Sequence, residues 1–166
     1  MTLMLRSRSR HLIAFVVAGA IAGCTSMETA PSTSSLPTFA FQSLRGAPVA
    51  IAVFDQRPGE RSGEWKALIE RDLHAVLAAA GAKVIINGAT HFELRLLRAR
   101  SDFEAGQWNG CVELTGRVFG ARELEASGQA CVVKANLWGK GTADNVLKLA
   151  YQDAMTKLLS SLDSRL

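Results

Sequence analysis

The run Pro48–Asp55 (Pro-Val-Ala-Ile-Ala-Val-Phe-Asp) is apolar on both of its faces and lies between Arg45-Gly46 and Arg57-Pro58-Gly59. Such a run predicts a strand that is central in a sheet or covered on both sides. Trp65, Ile69, Leu73, Val76, Leu77 and Ala80 then recur at three- and four-residue spacing, which is one stripe of an amphipathic helix. Ser62 is placed to cap that helix, Glu64 suits the dipole of its first turn, and Gly81 is positioned as a left-handed terminator. Val84-Ile85-Ile86 leads into an Asn87-Gly88 turn signal. In His91-Phe92-Glu93-Leu94-Arg95-Leu96 the alternation points Phe92, Leu94 and Leu96 inward. It fades through positions 97–100, and positions 102–110 read as a loop.

Alternation returns over 111–119, Gly120-Ala121-Arg122 offers a tight reversal, and 123–137 runs back. Centring this hairpin on Ala121 pairs Glu113 with Gln129, Thr115 with Ser127 and Arg117 with Glu125. The other face then pairs Val112 with Ala130, Leu114 with Gly128 and Val118 with Leu124. A slip of one residue would destroy both sets, so the register is well specified. The same register sets Cys111 opposite Cys131, where facing Cα atoms approach to ~4.5 Å and a disulfide can close. Two unrelated small side chains are the alternative. Past Cys131 the apolar phase moves to Val133, Ala135 and Leu137, which suggests a bulge near the cysteine. After Gly139-Lys140-Gly141, Thr142 or Asp144 can cap a last helix with Leu147, Ala150, Tyr151, Ala154, Met155, Leu158 and Leu162 on one side.

The element order is thus βαβββα, an α+β fold. Its sheet is expected to have four strands, mostly antiparallel, with both helices packed on one face. A crossover through the first helix would set the first strand parallel to a neighbour.

The N-terminus carries a different signal. Arg6, Arg8 and Arg10 precede about a dozen apolar residues that end in Ile21-Ala22-Gly23-Cys24. The apolar run is shorter than the ~20 residues a membrane-spanning helix needs, and it fits a secretory signal. Its ending looks like a bacterial lipobox, in which the cysteine is acylated and becomes the first residue after cleavage. A plain secretory signal with a coincidental cysteine is the alternative. Several acyl chains on Cys24, palmitate among them, would hold the protein stably on a membrane. Thr25 stands where an Asp would resemble an inner-membrane retention signal, so the expected location is the outer membrane of a Gram-negative cell, facing the periplasm. The following Ser/Thr/Pro-rich run to Pro37 has nothing evident to pack and reads as a tether with a reach of roughly 20 Å. The expected organisation is a signal peptide at 1–23, a lipidated cysteine and tether at 24–37, and one periplasmic domain at 38–166.

This leader changes how the charge is read. The 166 residues carry 19 basic and 15 acidic side chains, a formal net charge of +4. Positions 1–23 hold three arginines and no acid, so without them 16 basic side chains face 15 acidic ones. A domain of net charge +1 in the periplasm has neither the partner nor the field for nucleic acid.

Catalytic signatures are missing. The sequence has no Gly-x-Ser-x-Gly, HExxH, phosphate-binding loop or dinucleotide fingerprint. His74 falls opposite the stripe of its helix, and His91 lies on the outward face beside Glu93. Asp55 with Glu60 or Glu64 could be drawn as a catalytic carboxylate pair, but such groups at a strand end more often cap or form ion pairs. No spacing suits a metal, and no cofactor is expected. Arg98, Arg100 and Trp108 are the candidate binding surface, suited to acidic head groups; a solvated strand edge is the plainer explanation. Alternation sets Arg95 on the face opposite Arg98 and Arg100.

Taken together, the lipobox at Cys24, Asp55-x-Arg57 closing the first strand, the helix to Gly81, the strand opening Ala89-Thr90-His91-Phe92-Glu93-Leu94 and the last helix resemble the YajG-type outer-membrane lipoproteins. The architecture is also similar to small lipoproteins of lipopolysaccharide assembly and to auxiliary lipoproteins of envelope transporters. The resemblance implies no enzymatic activity. The expectation is a non-catalytic, lipid-anchored protein that binds or supports another envelope component. A lipid or small-ligand carrier, with a pocket near Trp65 and Tyr151, is the alternative, and a hydrolase using His91 a third reading.

Overall fold

A computed structural model describes residues 26–32, 34–58, 63–136 and 142–166. The signal segment, Cys24, Thr25, Glu60, Ser62 and Gly139-Lys140-Gly141 lie outside the described residues. The described elements are β1 (Ser26–Met27), a single 3-10 turn (Gln42–Leu44), β2 (Pro48–Asp55), α1 (Glu64–Ala79) and β3 (Lys83–Val84). They continue with β4 (Thr90–Glu104), β5 (Gln107–Phe119), β6 (Leu124–Ala135) and α2 (Ala143–Asp163).

The class is α+β, and the sheet is larger than four strands. Its order is β3-β2-β4-β5-β6, with β1 added on the edge of β4 beyond the end of β2. β2 runs parallel to both β3 and β4, joined to them through α1. β4, β5 and β6 form an antiparallel meander. The two extra strands, β1 and β3, are only two residues long, too short to leave an alternation in the sequence.

The β5–β6 register follows the charge and apolar pairing throughout, from Val118 opposite Leu124 to Gln107 opposite Ala135. The expected bulge near Cys131 is therefore absent from this pair, and Val133 stays on the solvent side, 56% exposed. The irregularity lies in β4 instead, where the register shifts between Leu96 and Arg98. Nor is 102–110 a loop: β4 continues to Glu104, turns at Ala105-Gly106 and returns as β5. Both turn residues have positive φ (50° and 77°), the geometry of a type I′ hairpin whose twist matches the strands it joins. Its second position takes the glycine that geometry favours.

One face of the sheet is covered by both helices. Phe92, Leu94, Leu96, Val112, Leu114 and Val118 face Leu73, Leu77, Ala150, Ala154 and Leu158 in a single core. Glycines let α2 settle closely: an added Cβ at Gly110 would meet Val146 at 2.8 Å, and one at Gly128 would meet the Ala154 carbonyl oxygen at 1.9 Å. α1 begins after Gly63, which takes the N-cap position with φ 77°. Thr142 caps α2, its hydroxyl accepting from the Asn145 amide at 3.2 Å.

Residues 26–37 are not a free tether. β1 pairs Ser26 with Asp102 and Met27 with Ser101, Pro31 is buried, and Ala30 and Leu36 pack on the core. The stretch looks unpackable because its anchoring groups are backbone carbonyls and small hydroxyls, which hydrophobic patterning does not register.

Candidate functional site

β2 ends at Asp55 because its ladder with β4 ends there, opposite Leu96. The chain then turns back through Arg57, whose guanidinium grips the Asp55 carboxylate at two points: Nε to Oδ1 at 2.9 Å and Nη2 to Oδ2 at 2.7 Å. Both side chains are almost fully withdrawn from solvent. Arg57 Nη1 also donates to the Glu28 carbonyl oxygen at 3.1 Å, which Trp65 Nε1 reaches at 2.6 Å. Asp55 is thus bound in a structural ion pair that ties the strand-to-helix turn to the N-terminal segment, as the ion-pair reading expected.

A second polar cluster lies between the helices. Asp72 on α1 is buried and accepts from the Tyr151 hydroxyl of α2 at 3.0 Å, from Arg71 Nε at 3.1 Å and from the Ser34 hydroxyl. Burial, then the neighbouring Asp72 charge, push the Tyr151 phenol well above its ordinary value. Trp65 and Tyr151 are fully buried and meet edge to face, their centroids 5.7 Å apart. The place expected for a carried ligand is filled by these two rings. Nothing singles out Asp72 in the sequence beyond its i, i+4 spacing from the buried Leu68 and Val76.

The irregularity at Leu97 decides the arginine face. Arg95 pairs with Thr115, Arg98 with Glu113 and Arg100 with Cys111, so all three project from the open side of the sheet. The separation of Arg95 from the other two is corrected: an extra residue at 97 resets the alternation. Each has acidic company: Arg95 donates to Glu93 at 2.6 Å, Arg100 to Asp102 at 2.8 Å, and Arg98 stands opposite Glu113. A recess of about 320 Å3 where β2 ends includes Glu28, Arg57, Leu97, Arg98, Arg100 and Glu113. Its charges are mixed, which does not favour a simple anion.

Trp108 belongs elsewhere. It pairs with Phe103 across the β4–β5 turn, on the same side as Gly110 and the helices, so Arg98 and Arg100 do not share a surface with it. The two aromatic centroids are 5.1 Å apart and both rings are half-buried. Cys111 and Cys131 are bonded on the open face, with Cα atoms 4.1 Å apart. His74 and His91 are exposed, and the Glu93 carboxylate that could serve His91 is held by Arg95. Among the described residues no cluster of three or more His, Cys, Asp or Glu is placed to hold a metal. Among the same residues no helix is long and apolar enough to cross a membrane.

No protein-family model matches the chain, so the YajG-type resemblance has none to rest on, and no curated protein sequence matches it. Among solved structures it is similar to a protein from Xanthomonas campestris at 13% identity and TM-score 0.48, over 78% of this chain and 90% of that one. It is also similar to a lipoprotein from Neisseria meningitidis at 13% identity and TM-score 0.45, over 72% and 96% of the two chains. A minor lipoprotein from Acinetobacter baumannii gives 13% identity and TM-score 0.44, over 74% and 91%. No residue role is carried over from these likenesses.

Proposed function

We propose that this protein is a lipid-anchored, non-catalytic component of a Gram-negative envelope, attached through Cys24 to the outer membrane and facing the periplasm, where it binds or supports another envelope component. One observation carries the reading: the acidic groups best placed for acid–base chemistry are already committed to structural bonds. Asp55 is clasped by Arg57, Asp72 receives Tyr151, and Glu93 is held by Arg95. A carboxylate so engaged is held in one orientation by its donors, which suits a scaffold and not proton transfer. The lipobox ending in Cys24 supplies the reason such a domain would be held at a membrane.

Two measurements test it. Mature protein should begin at an acylated Cys24 and enter the detergent phase on partitioning, while Cys24→Ser should remain aqueous; an aqueous wild-type product overturns the anchor. A photoreactive residue at Arg98 or at Trp108 should give a discrete crosslinked adduct in intact cells. Absence of any adduct from both positions overturns the partner-binding role.

A further inference from the structure

The direction of β1 fixes which end of the domain an anchored chain would present to its membrane. Ser26 pairs with Asp102 and Met27 with Ser101 in antiparallel sense, so Ser26 is the end of β1 nearer Phe103 and the Ala105-Gly106 turn. Cys24 precedes Ser26 by two residues, and two extended residues span at most ~7 Å. The turn at Ala105 lies three residues beyond Asp102, a rise of ~10 Å along the strand. The hairpin tip therefore projects about as far from the core as the cysteine can reach. Acyl chains buried on a cysteine within that reach hold this end of the sheet close to the lipid head groups, a layer ~5–7 Å deep on each side of the hydrocarbon.

The side chains at that end suit such a place. Phe103 and Trp108 lie against each other just inside the turn, half-buried, and Met27, opposite Ser101, is 42% exposed. Indole, with an apolar body and one N–H donor, is favoured at the boundary between hydrocarbon and water. The opposite end of the sheet offers a natural control. Ile86 is 92% exposed, near the start of β4, and the 15 residues of that strand separate the two ends by ~48 Å.

The geometry points to the tip of the β4–β5 hairpin, with Phe103 and Trp108, as a bilayer-contact surface lying in the head-group region beside the lipid-bearing cysteine. This rests on the anchored reading above. The protein would then stand on the membrane with its hairpin down and its Ile86 end pointing into the periplasm.

The experiment uses the full lipidated mature protein in phosphatidylcholine vesicles containing lipid brominated on the upper acyl chain, with tryptophan emission as the readout. All measurements are made in a Trp138→Phe background, so that Trp108 and the fully buried Trp65 are the tryptophans present. Trp108 should be quenched by the brominated lipid, and adding Trp108→Phe should remove the quenched component. A tryptophan installed by Ile86→Trp in the protein carrying both Trp108→Phe and Trp138→Phe should remain unquenched. Circular dichroism checks that each variant is folded, and the quenching of Trp108 in the Trp138→Phe protein is read even if the variants lacking Trp108 do not fold. Protein that floats with the vesicles but shows no quenching of Trp108, or quenching of the Ile86→Trp reporter, overturns the bilayer contact and leaves the anchor intact. Protein that fails to float with the vesicles overturns both.

Discussion

Gly128 stands on β6 where α2 crosses, and a methyl group there would lie 1.9 Å from the Ala154 carbonyl oxygen. Backbone cannot yield as the end of a side chain can, so Gly128→Ala should force α2 away from the sheet. The expected loss is ~3 kcal/mol, at the upper part of the range for overpacked cores, read as a lower urea midpoint. At Tyr151 the prediction concerns pH. The folded state holds the phenol protonated above its ordinary value of 10.0, because burial and then the Asp72 charge oppose the phenolate. Unfolded chains release that proton near pH 10, so the contribution is complete below this pH and is lost as pH rises through the higher folded value. Tyr151→Phe should therefore flatten the fall in stability above pH 10; equal slopes for both proteins would refute the coupling. The sequence made some of these residues legible and hid others. Cys111 and Cys131 could be paired because the charges and small residues around them already dictated a register. Asp72 could not be found, since a carboxylate flanking an apolar stripe reads as solvent-facing until Tyr151 is seen across from it.

At the scale of elements, β6 is the exposed edge of the sheet. The 4.1 Å approach of Cys111 and Cys131 marks a pair that does not exchange backbone hydrogen bonds. Alternate residues along β6 share that setting, so the carbonyls of Gln129 and Glu125 point away from β5 toward the free edge. Both are met from α2: Lys157 Nζ donates to Gln129 O at 3.3 Å, and Arg165 Nη1 donates to Glu125 O at 2.6 Å. Cationic side chains folded over an edge obstruct the pairing of a second strand. The double variant Lys157→Ala with Arg165→Ala should keep its fold but associate more strongly, visible by light scattering as concentration rises. Unchanged scattering would mean the edge is guarded by something else. The same scale explains which elements the pattern revealed. Both helices and the β5–β6 hairpin repeat a period over many residues. The end of β4 does not: Leu97 breaks the alternation, and Asp102 past it reads as loop although it pairs with Ser26 of β1. Beyond such an irregularity every side chain changes face, which is why Arg95, Arg98 and Arg100 share a surface that simple counting had divided.

For the whole molecule, the consequential difference is that residues 26–37 belong to the fold. The Glu28 carbonyl receives the Trp65 indole and the Arg57 guanidinium, Ser34 reaches Asp72, and the backbone carbonyl of Ser35 accepts from the Gln152 amide at 2.9 Å. A chain that starts at Thr38 leaves two buried donors without that acceptor, each worth ~1–3 kcal/mol when unmet. Compared with a chain that starts at Ser26, it should lose about 2–6 kcal/mol by chemical denaturation. A slack tether would make the two chains equally stable, so equal midpoints would contradict the docked arrangement. The comparison also bears on what the proposed anchor at Cys24 would do. Through a slack linker, pulling on Cys24 would leave the core untouched. Through β1 and Glu28 the same pull acts on the Asp55–Arg57 turn and on Trp65, so the orientation of the domain at a membrane and the stability of its core become one property.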